Sequence, residues 1–280
     1  MDTFIYNEQF KRELRADSHP FGEVSYLESV VEPGMTVIDI GANKGLTTVA
    51  IAVNAGEAGC VYAFEPVPEY YRTLRANLAG NGVHNARTYR RALGKSEGPT
   101  QYYKDGGGSG IVPQDGAETL TVDVETLDAF AAEEDLDKVD LISMDCEGSE
   151  LLVLEGAEKT VATIRPRIFC EVHRPRLRTL GQSLEELVRW LENRDYEVTP
   201  ILIDSWNRDT DFEQCTHIFA TPRPQENAHA REIERLEKEL VDLEARWPAH
   251  SVPPSMLQER EELEEKLEEV RRRAQDKEGD

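Results

Sequence analysis

Residues 37–45 constrain the fold of this chain more than any other segment. The β-prone run VIDI leads into a turn that holds Gly41 and Gly45, and a helical pattern begins directly afterwards at Leu46. A second apolar run ends on Glu65, twenty positions after Gly45. This succession of strand, glycine turn, helix and strand predicts a nucleotide-type cofactor site in an α/β sheet.

The residue types at this turn indicate what the site binds. Gly41 and Gly45 have no Cβ, so the backbone can turn sharply and approach a ligand beside the free N–H groups of the following helix. Glu65 can accept hydrogen bonds from both ribose hydroxyls, and Asp39 favours a cationic group such as the amino group of S-adenosylmethionine. The turn lacks the third glycine of dinucleotide sites, which disfavours a nicotinamide-dependent oxidoreductase.

Strand and helix patterns alternate along the rest of the chain. This alternation predicts a doubly wound, mostly parallel sheet with helices on both faces, finished by an antiparallel pair of strands. Ligands then bind beyond the carboxyl ends of the strands. The predicted strands are 35–40, 60–65, 87–93, 139–145, 167–172, 197–203 and 216–221, and the predicted helices are 46–55, 68–81, 149–162 and 183–194.

Three regions are predicted from composition and periodicity. Residues 1–34 form a helical lead-in, residues 35–222 form the catalytic domain, and residues 225–280 form a helical appendage. In the appendage, apolar residues recur every three or four positions on both sides of a proline-marked break, a pattern typical of a coiled coil or helical hairpin. A homo-oligomer through residues 225–280 is favoured over docking to another protein, and a frayed, solvated tail is a further alternative.

The charge of the chain limits its partners. The chain has 55 acidic and 32 basic residues and a formal net charge of -23, so its surface repels the phosphates of nucleic acids and anionic lipids. We interpret this excess as an adaptation to high salt, where self-repulsion is screened.

The four cysteines are widely spaced and no run of 18 apolar residues occurs, so we expect a cytoplasmic protein with no integral membrane segment.

Four segments together resemble the FkbM type of methyltransferase, over roughly residues 24–222. They are PGMTVIDIGAN (33–43), YAFEP (62–66), DCEGSEL (145–151) and LEGA (154–157). The resemblance implies a class I, Rossmann-like, S-adenosylmethionine-dependent fold that acts on hydroxyl oxygens of sugars, glycolipids, glycan chains or polyketides. The acceptor is therefore expected to be a carbohydrate or glycolipid hydroxyl, and a non-catalytic interaction protein on the same scaffold is the alternative.

The resemblance also implies roles for particular positions. Asp39, Gly41, Asn43 and Gly45 match the loop on the methionine side of the cofactor, and Glu65 matches the ribose ligand. The chain departs from the family where a lysine is common, because Ser143 stands at that position. A basic group is therefore missing near the turn.

A second group of polar residues follows two strands that we expect to be neighbours. Methyl transfer to oxygen requires a group that accepts the proton of the attacking hydroxyl. We predict Asp145, Glu171 and His173 as catalytic residues, with Asp145 touching cofactor or acceptor, His173 acting as base, and Glu171 orienting the imidazole or a sugar hydroxyl. Glu171 pairing with a nearby arginine is the structural alternative.

Clustered carboxylates with a histidine are also compatible with a site for a divalent metal ion that bridges to the acceptor. Their spacing is not diagnostic, so metal-free acid–base catalysis is preferred and no metal ligand is assigned.

The run from Gly106 to Gly110 follows Tyr102 and Tyr103 and precedes an alternating strand pattern. It predicts a hairpin whose mobile tip is either an exposed turn or a lid over the acceptor.

Overall fold

The computed structural model describes residues 3–15, 18–104, 108–203, 210–247 and 253–277. The chain forms two compact units, Met1–Pro222 and Arg223–Asp280. The four cysteines of the chain are free thiols. Within the described ranges, none of the helices combines the length and the apolar content needed to cross a bilayer.

The first unit contains both sheets of the described structure. Its strands are β1 (Thr36–Ile40), β2 (Cys60–Phe64), β3 (Ala86–Tyr89), β4 (Ala92–Leu93), β5 (Gly98–Lys104), β6 (Glu118–Glu125), β7 (Leu141–Met144), β8 (Arg167–Glu171), β9 (Tyr196–Ile201) and β10 (His217–Pro222). Its helices are α1 (Glu8–Leu14), α2 (Ser18–Val30), α3 (Leu46–Ala55), α4 (Pro68–Gly80), α5 (Leu127–Glu133), α6 (Glu150–Glu155), α7 (Glu158–Thr163), α8 (Arg174–Thr179) and α9 (Leu184–Glu192).

The larger sheet has the strand order β3-β2-β1-β7-β8-β10-β9. The strands from β3 to β8 in this order are parallel, and β10 runs antiparallel to both β8 and β9. The predicted Rossmann-like class, with its antiparallel terminal strand, is confirmed. The strand order reverses between β1 and β7, and a crevice opens at such a switch point beyond the carboxyl ends of the strands.

The central strands are apolar on both faces because helices cover both sides of the sheet. All residues of β7 are buried, as are the last four of β1 and of β2. On one face, Tyr26 and Leu27 of α2 are buried, and the Tyr26 ring stacks on Phe169 with centroids 4.9 Å apart. An apolar side of α2 therefore packs against the sheet and brings this helix beside β8.

Several predicted boundaries were wrong because contacts between distant segments interrupt local patterns. The predicted strand 87–93 divides into β3 and β4, and β4 joins β5 and β6 in a separate three-stranded sheet. The predicted helix 149–162 divides into α6 and α7 at Gly156, where a Cβ would overlap the backbone of Gly94. Helices α5 and α8 were not predicted.

The glycine-rich segment forms the predicted hairpin. Strands β5 and β6 are antiparallel neighbours, and a bridge between Tyr103 and Gly110 continues the pairing toward the tip. Residues 105–107, which include part of the predicted mobile tip, lie outside the described residues.

The second unit consists of α10 (Gln225–Ala245) and α11 (Pro254–Lys277). Ion pairs join Arg271 to Glu237 at 2.6 Å and Arg260 to Glu244 at 3.2 Å. These pairings match late residues of one helix with early residues of the other, so the helices are antiparallel. Their seam buries Leu236, Leu243 and Leu267, and the appendage is therefore a helical hairpin.

Candidate functional site

The turn between β1 and α3 is held by close backbone packing as well as by its glycines. Gly41 has φ +84°, and a Cβ at this position would overlap the backbone carbonyl oxygen of Asp145. Gly45 has φ +90°, and its Cβ would lie 2.6 Å from Leu74 Cδ1. The sequence suggested that these glycines let a ligand approach, and the structure adds that neighbouring segments leave no room for a side chain.

Glu65 joins two loops at the carboxyl edge of the sheet. Its Oε2 accepts the backbone N–H of Asn43 at 2.9 Å, and its Oε1 accepts that of Val67 at 2.7 Å. Burial raises the pKa of Glu65 to about 7, although the two N–H groups lower it, and the negative charge of Asp39 contributes to the rise. Each carboxylate oxygen keeps a lone pair for a further donor.

Asp39 lies near the end of β1, where hydroxyl groups hold its carboxylate. Oδ2 accepts hydrogen bonds from Thr48 Oγ1 at 2.6 Å and Thr47 Oγ1 at 3.2 Å. Ser143 is its register partner on β7 and supplies a third hydroxyl contact. Burial raises the pKa of Asp39 to about 6, and these hydroxyls oppose the rise. The position where the family often has lysine therefore lies directly beside Asp39.

A cavity of about 320 Å³ opens beside this turn, between the ends of β1 and β2 and the small sheet. This volume lies at the lower end of the range for small-molecule sites, which are mostly apolar with a few polar groups. Tyr102, which precedes the glycine-rich run, lines this cavity. Other lining residues include Ile40, Gly41, Phe64, Pro66, Leu93, Lys95, Ile111, Cys146 and Ser149.

The predicted catalytic residues lie together at the ends of β7 and β8. Both ring nitrogens of His173 have carboxylate neighbours: Nδ1 is 2.8 Å from Glu150 Oε1, and Nε2 is 3.1 Å from Glu147 Oε2. The same Nε2 lies 3.7 Å from both Asp145 Oδ1 and Glu171 Oε1. Asp145 Oδ1 is a buried atom with no hydrogen-bond partner among the described residues.

The protonation of His173 follows from this surrounding. Burial lowers the pKa of its imidazole, but the hydrogen bond to Glu150 and the charges of Asp145 and Glu171 outweigh burial and raise the pKa to about 9. The ring is therefore protonated near neutral pH, and both nitrogens donate. This state does not fit the predicted role of His173 as a free base.

The carboxylates of this cluster have different environments. Burial raises the pKa of Asp145 well above its usual value, and the charge of Glu171 adds to that rise. Burial also raises the pKa of Glu171, but a hydrogen bond with His19 and the imidazoles of His217 and His173 reverse the effect, so the net shift is downward. Glu171 is therefore more readily ionised than Asp145.

Residues 39–198, more than half of the chain, match the family model of the methyltransferase FkbM domain. This chain belongs to the FkbM methyltransferase family. It therefore carries a methyltransferase domain, with S-adenosylmethionine as the methyl donor, as the resemblance implied. Family membership also sets aside the nicotinamide alternative.

Three known proteins show the range of similarity. AMB antimetabolite synthetase AmbE of Pseudomonas aeruginosa is 26% identical over 279 residues, which cover 80% of this chain but 13% of that protein. Methyltransferase sdnD of Sordaria araneosa is 25% identical over 197 residues, covering 58% of this chain and 74% of that protein. The solved structure of methyltransferase FkbM from Methylobacillus flagellatus has 20% identity and a TM-score of 0.45, covering 71% of this chain and 51% of that one.

In this FkbM methyltransferase the two predicted residue groups are neighbours, since Gly41 packs on the backbone of Asp145. Three further residues at this edge were not predicted from the sequence: Glu23, His19 and His217. Glu23 lies near Glu171, and burial together with that charge raises the pKa of Glu23 to about 8. No local pattern marks these residues, because α2 and β10 come from opposite ends of the unit and meet β8 only in the folded sheet.

Proposed function

We propose that this FkbM methyltransferase methylates a hydroxyl oxygen of a sugar, glycan or glycolipid. One observation carries the proposal: the turn at Gly41 packs directly on Asp145, at the edge of the carboxylate cluster. A donor bound at the turn would therefore have polar groups beside it that can bind and deprotonate a hydroxyl. Such proximity of donor and acceptor accounts for much of the catalysis in group transfer.

The residues at the turn fit the cofactor. Glu65 uses one lone pair of each oxygen for a backbone N–H and has two left for the ribose hydroxyls. The cavity beside it has the apolar walls that suit an adenine ring. Asp39, Gly41, Asn43 and Gly45 would hold the methionine end. When bound, S-adenosylmethionine supplies a methyl group on a positively charged sulfur.

The acceptor side assigns different tasks to the cluster. Asp145 Oδ1 is buried and lacks a partner, so in its ionised form it can accept the hydrogen bond of the acceptor hydroxyl and then its proton, and its raised pKa makes that ionised form a stronger base. His173 contacts Glu150 and Glu147 through its two nitrogens, so we assign it the positioning of these carboxylates. Glu171 can bind a neighbouring hydroxyl of a sugar.

A second candidate acceptor is suggested by one relative. The similarity to an antimetabolite synthetase covers 80% of this chain, which supports a small secondary metabolite with a free hydroxyl as an alternative to a sugar.

Homo-oligomerisation through residues 225–280 and a cytoplasmic location are also part of the proposal. The free thiols of all four cysteines support a reducing compartment.

Calorimetry with S-adenosylmethionine tests the cofactor site. Glu65→Ala is expected to weaken binding by about 1–3 kcal/mol, since it removes a charged hydrogen-bond acceptor. Glu57→Ala is the matched control, because Glu57 is exposed and lies outside the cavity. Equal affinity in both variants would remove Glu65 from the cofactor site.

Transfer of a labelled methyl group to a panel of glycans, glycolipids and hydroxylated metabolites tests the acceptor. Asp145→Asn should lower the turnover about 10²- to 10⁴-fold, the usual contribution of a positioned proton acceptor, with a smaller effect on cofactor affinity. Asp123→Asn, an exposed position on β6, should leave turnover unchanged. Full turnover of Asp145→Asn would place the base elsewhere.

A further inference from the structure

Glu171 and two histidines other than His173 converge on one point. Glu171 on β8 and His217 on β10 are register partners, so their side chains lie on the same face of adjacent strands. His19, in the first turn of α2, places its Nε2 3.3 Å from Glu171 Oε1. One nitrogen from each histidine and one Glu171 oxygen all lie within 4.8 Å of one another.

The buried imidazole of His217 has one nitrogen without a partner. The side chain is fully buried, and its Nδ1 lies 3.1 Å from Thr216 Oγ1. That hydroxyl is directed to the carbonyl of Ile201, so its oxygen can accept the Nδ1 proton. His217 Nε2 is then a bare lone pair, and it has no hydrogen-bond partner among the described residues.

An unpartnered buried polar atom is costly, and it therefore indicates a missing ligand. A histidine whose Nδ1–H is hydrogen-bonded and whose Nε2 is bare has the arrangement typical of a metal ligand. The ring is also held in orientation, because it stacks on Phe169 with centroids 4.8 Å apart. The geometry thus brings an oriented imidazole and an adjacent carboxylate to the same point.

We propose that His19, Glu171 and His217 bind a divalent transition-metal ion, a site that goes beyond methyl transfer itself. Two imidazole nitrogens and one carboxylate oxygen form a donor set used for Zn²⁺ and related ions, whereas Mg²⁺ and Ca²⁺ prefer sites of oxygen alone. The spacing of 3.3 Å between His19 Nε2 and Glu171 Oε1 fits two ligands of a tetrahedral ion, which lie roughly 3.3 Å apart at usual bond lengths.

The site shares Glu171 with a second group of potential ligands. Asp145, Glu171 and His173 also have one ligand atom each within 4.8 Å of the others. In that group both nitrogens of His173 already lie within 3.1 Å of carboxylates. The histidine pair from α2 and β10 is therefore the preferred partner of Glu171.

Calorimetric titration of the chelator-treated full-length protein with Zn²⁺, and separately with Mg²⁺, tests the site without using activity. The wild type should bind one Zn²⁺ and bind Mg²⁺ at least tenfold more weakly. His19→Ala should weaken Zn²⁺ binding at least tenfold. Because the His19 side chain is partly exposed, we expect this variant to fold. His84→Ala is the matched control, because His84 is exposed and precedes β3, an edge strand of the larger sheet far from β8 and β10 in the strand order.

His217→Gln provides the second variant, with circular dichroism as a check on folding. Loss of Zn²⁺ affinity in His19→Ala, with His84→Ala unchanged, would support the site. Absence of Zn²⁺ binding in the wild type would overturn it, as would undiminished binding in His19→Ala. Binding lost in His173→Ala but retained in His19→Ala would assign the ion to the other group. These results are independent of any effect of Glu65→Ala on S-adenosylmethionine.

Discussion

Single residues at the carboxyl edge decide whether the cofactor turn can form and bind. Glu65 is 4% exposed and has its pKa raised to about 7, chiefly by burial. In the proposed site a ribose hydroxyl would donate to the ionised carboxylate, so cofactor binding should lower this pKa. Gly41, by contrast, matters because it lacks a side chain: the backbone of Asp145 occupies the position that its Cβ would take.

The affinity for S-adenosylmethionine should fall as the pH is lowered through 7. With a free-protein pKa of about 7, roughly nine-tenths of Glu65 is protonated at pH 6 and must lose the proton on binding, which weakens binding about tenfold relative to pH 8. Calorimetry at both pH values checks this. Glu65→Gln should bind more weakly and lose the Glu65-linked part of the pH dependence. An unchanged dependence in the variant would assign the titration to another group.

Gly41→Ala should destabilise the protein more than Gly34→Ala. Both glycines have similar φ, +84° and +86°, but nothing lies within 4 Å of a Cβ at Gly34. The backbone penalty at Gly34 is about 1–2 kcal/mol, and overlap with Asp145 should add roughly 1–3 kcal/mol at Gly41. Urea denaturation measures both. Equal losses would mean that the turn shifts to accommodate the methyl group.

At the scale of elements, the helical hairpin of α10 and α11 buries its own apolar seam. Leu243 is 0% exposed, whereas Val241 on the same helix is 64% exposed. The two helices therefore do not require a second copy of the chain to cover Leu236, Leu243 and Leu267. Self-association through residues 225–280 stays a prediction, and it would have to use surface outside this seam.

Leu243→Ala should loosen the hairpin while Val241→Ala leaves it intact. Removal of a buried leucine side chain costs about 2–5 kcal/mol, and exposed substitutions cost within about 0.5 kcal/mol. Hydrogen exchange of the α11 amides should therefore be roughly 30-fold faster or more in Leu243→Ala. Similar exchange in both variants would show that the seam contributes little to helix pairing.

At the scale of the whole molecule, the net charge of -23 opposes folding through self-repulsion. Salt screens this repulsion, and most of the effect of simple screening is complete near 0.2 M, where the Debye length is already below about 8 Å. An adaptation to high salt requires stability to keep rising beyond that concentration. The two explanations therefore differ in where the increase ends.

Urea denaturation between 0.05 and 2 M KCl distinguishes them. We expect the free energy of unfolding to rise by on the order of 2 kcal/mol and to continue rising above 0.2 M. Sucrose at equal osmolality controls for general exclusion of solute from the surface. A plateau of the unfolding free energy near 0.2 M would mean that ordinary screening explains the effect of salt. A loss of stability in molar salt would contradict the high-salt hypothesis.

The sequence by itself determined the features that depend on neighbouring residues. Apolar runs predicted the buried strands, and the spacing from Gly45 to Glu65 placed an acidic residue at the end of the second strand. These signals are local, because a strand or a glycine turn is encoded within a few positions. The same logic predicted a helical hairpin or coiled coil after residue 225.

Only the tertiary structure decided which distant residues meet. The sheet order brings β10 between β8 and β9, which sets His217 opposite Glu171 and lets α2 bring His19 to the same point. It also puts Gly41 against Asp145 and surrounds His173 with carboxylates that raise its pKa to about 9. Proton affinity and ligand geometry depend on such contacts, and strand order and register set them from segments far apart in the chain.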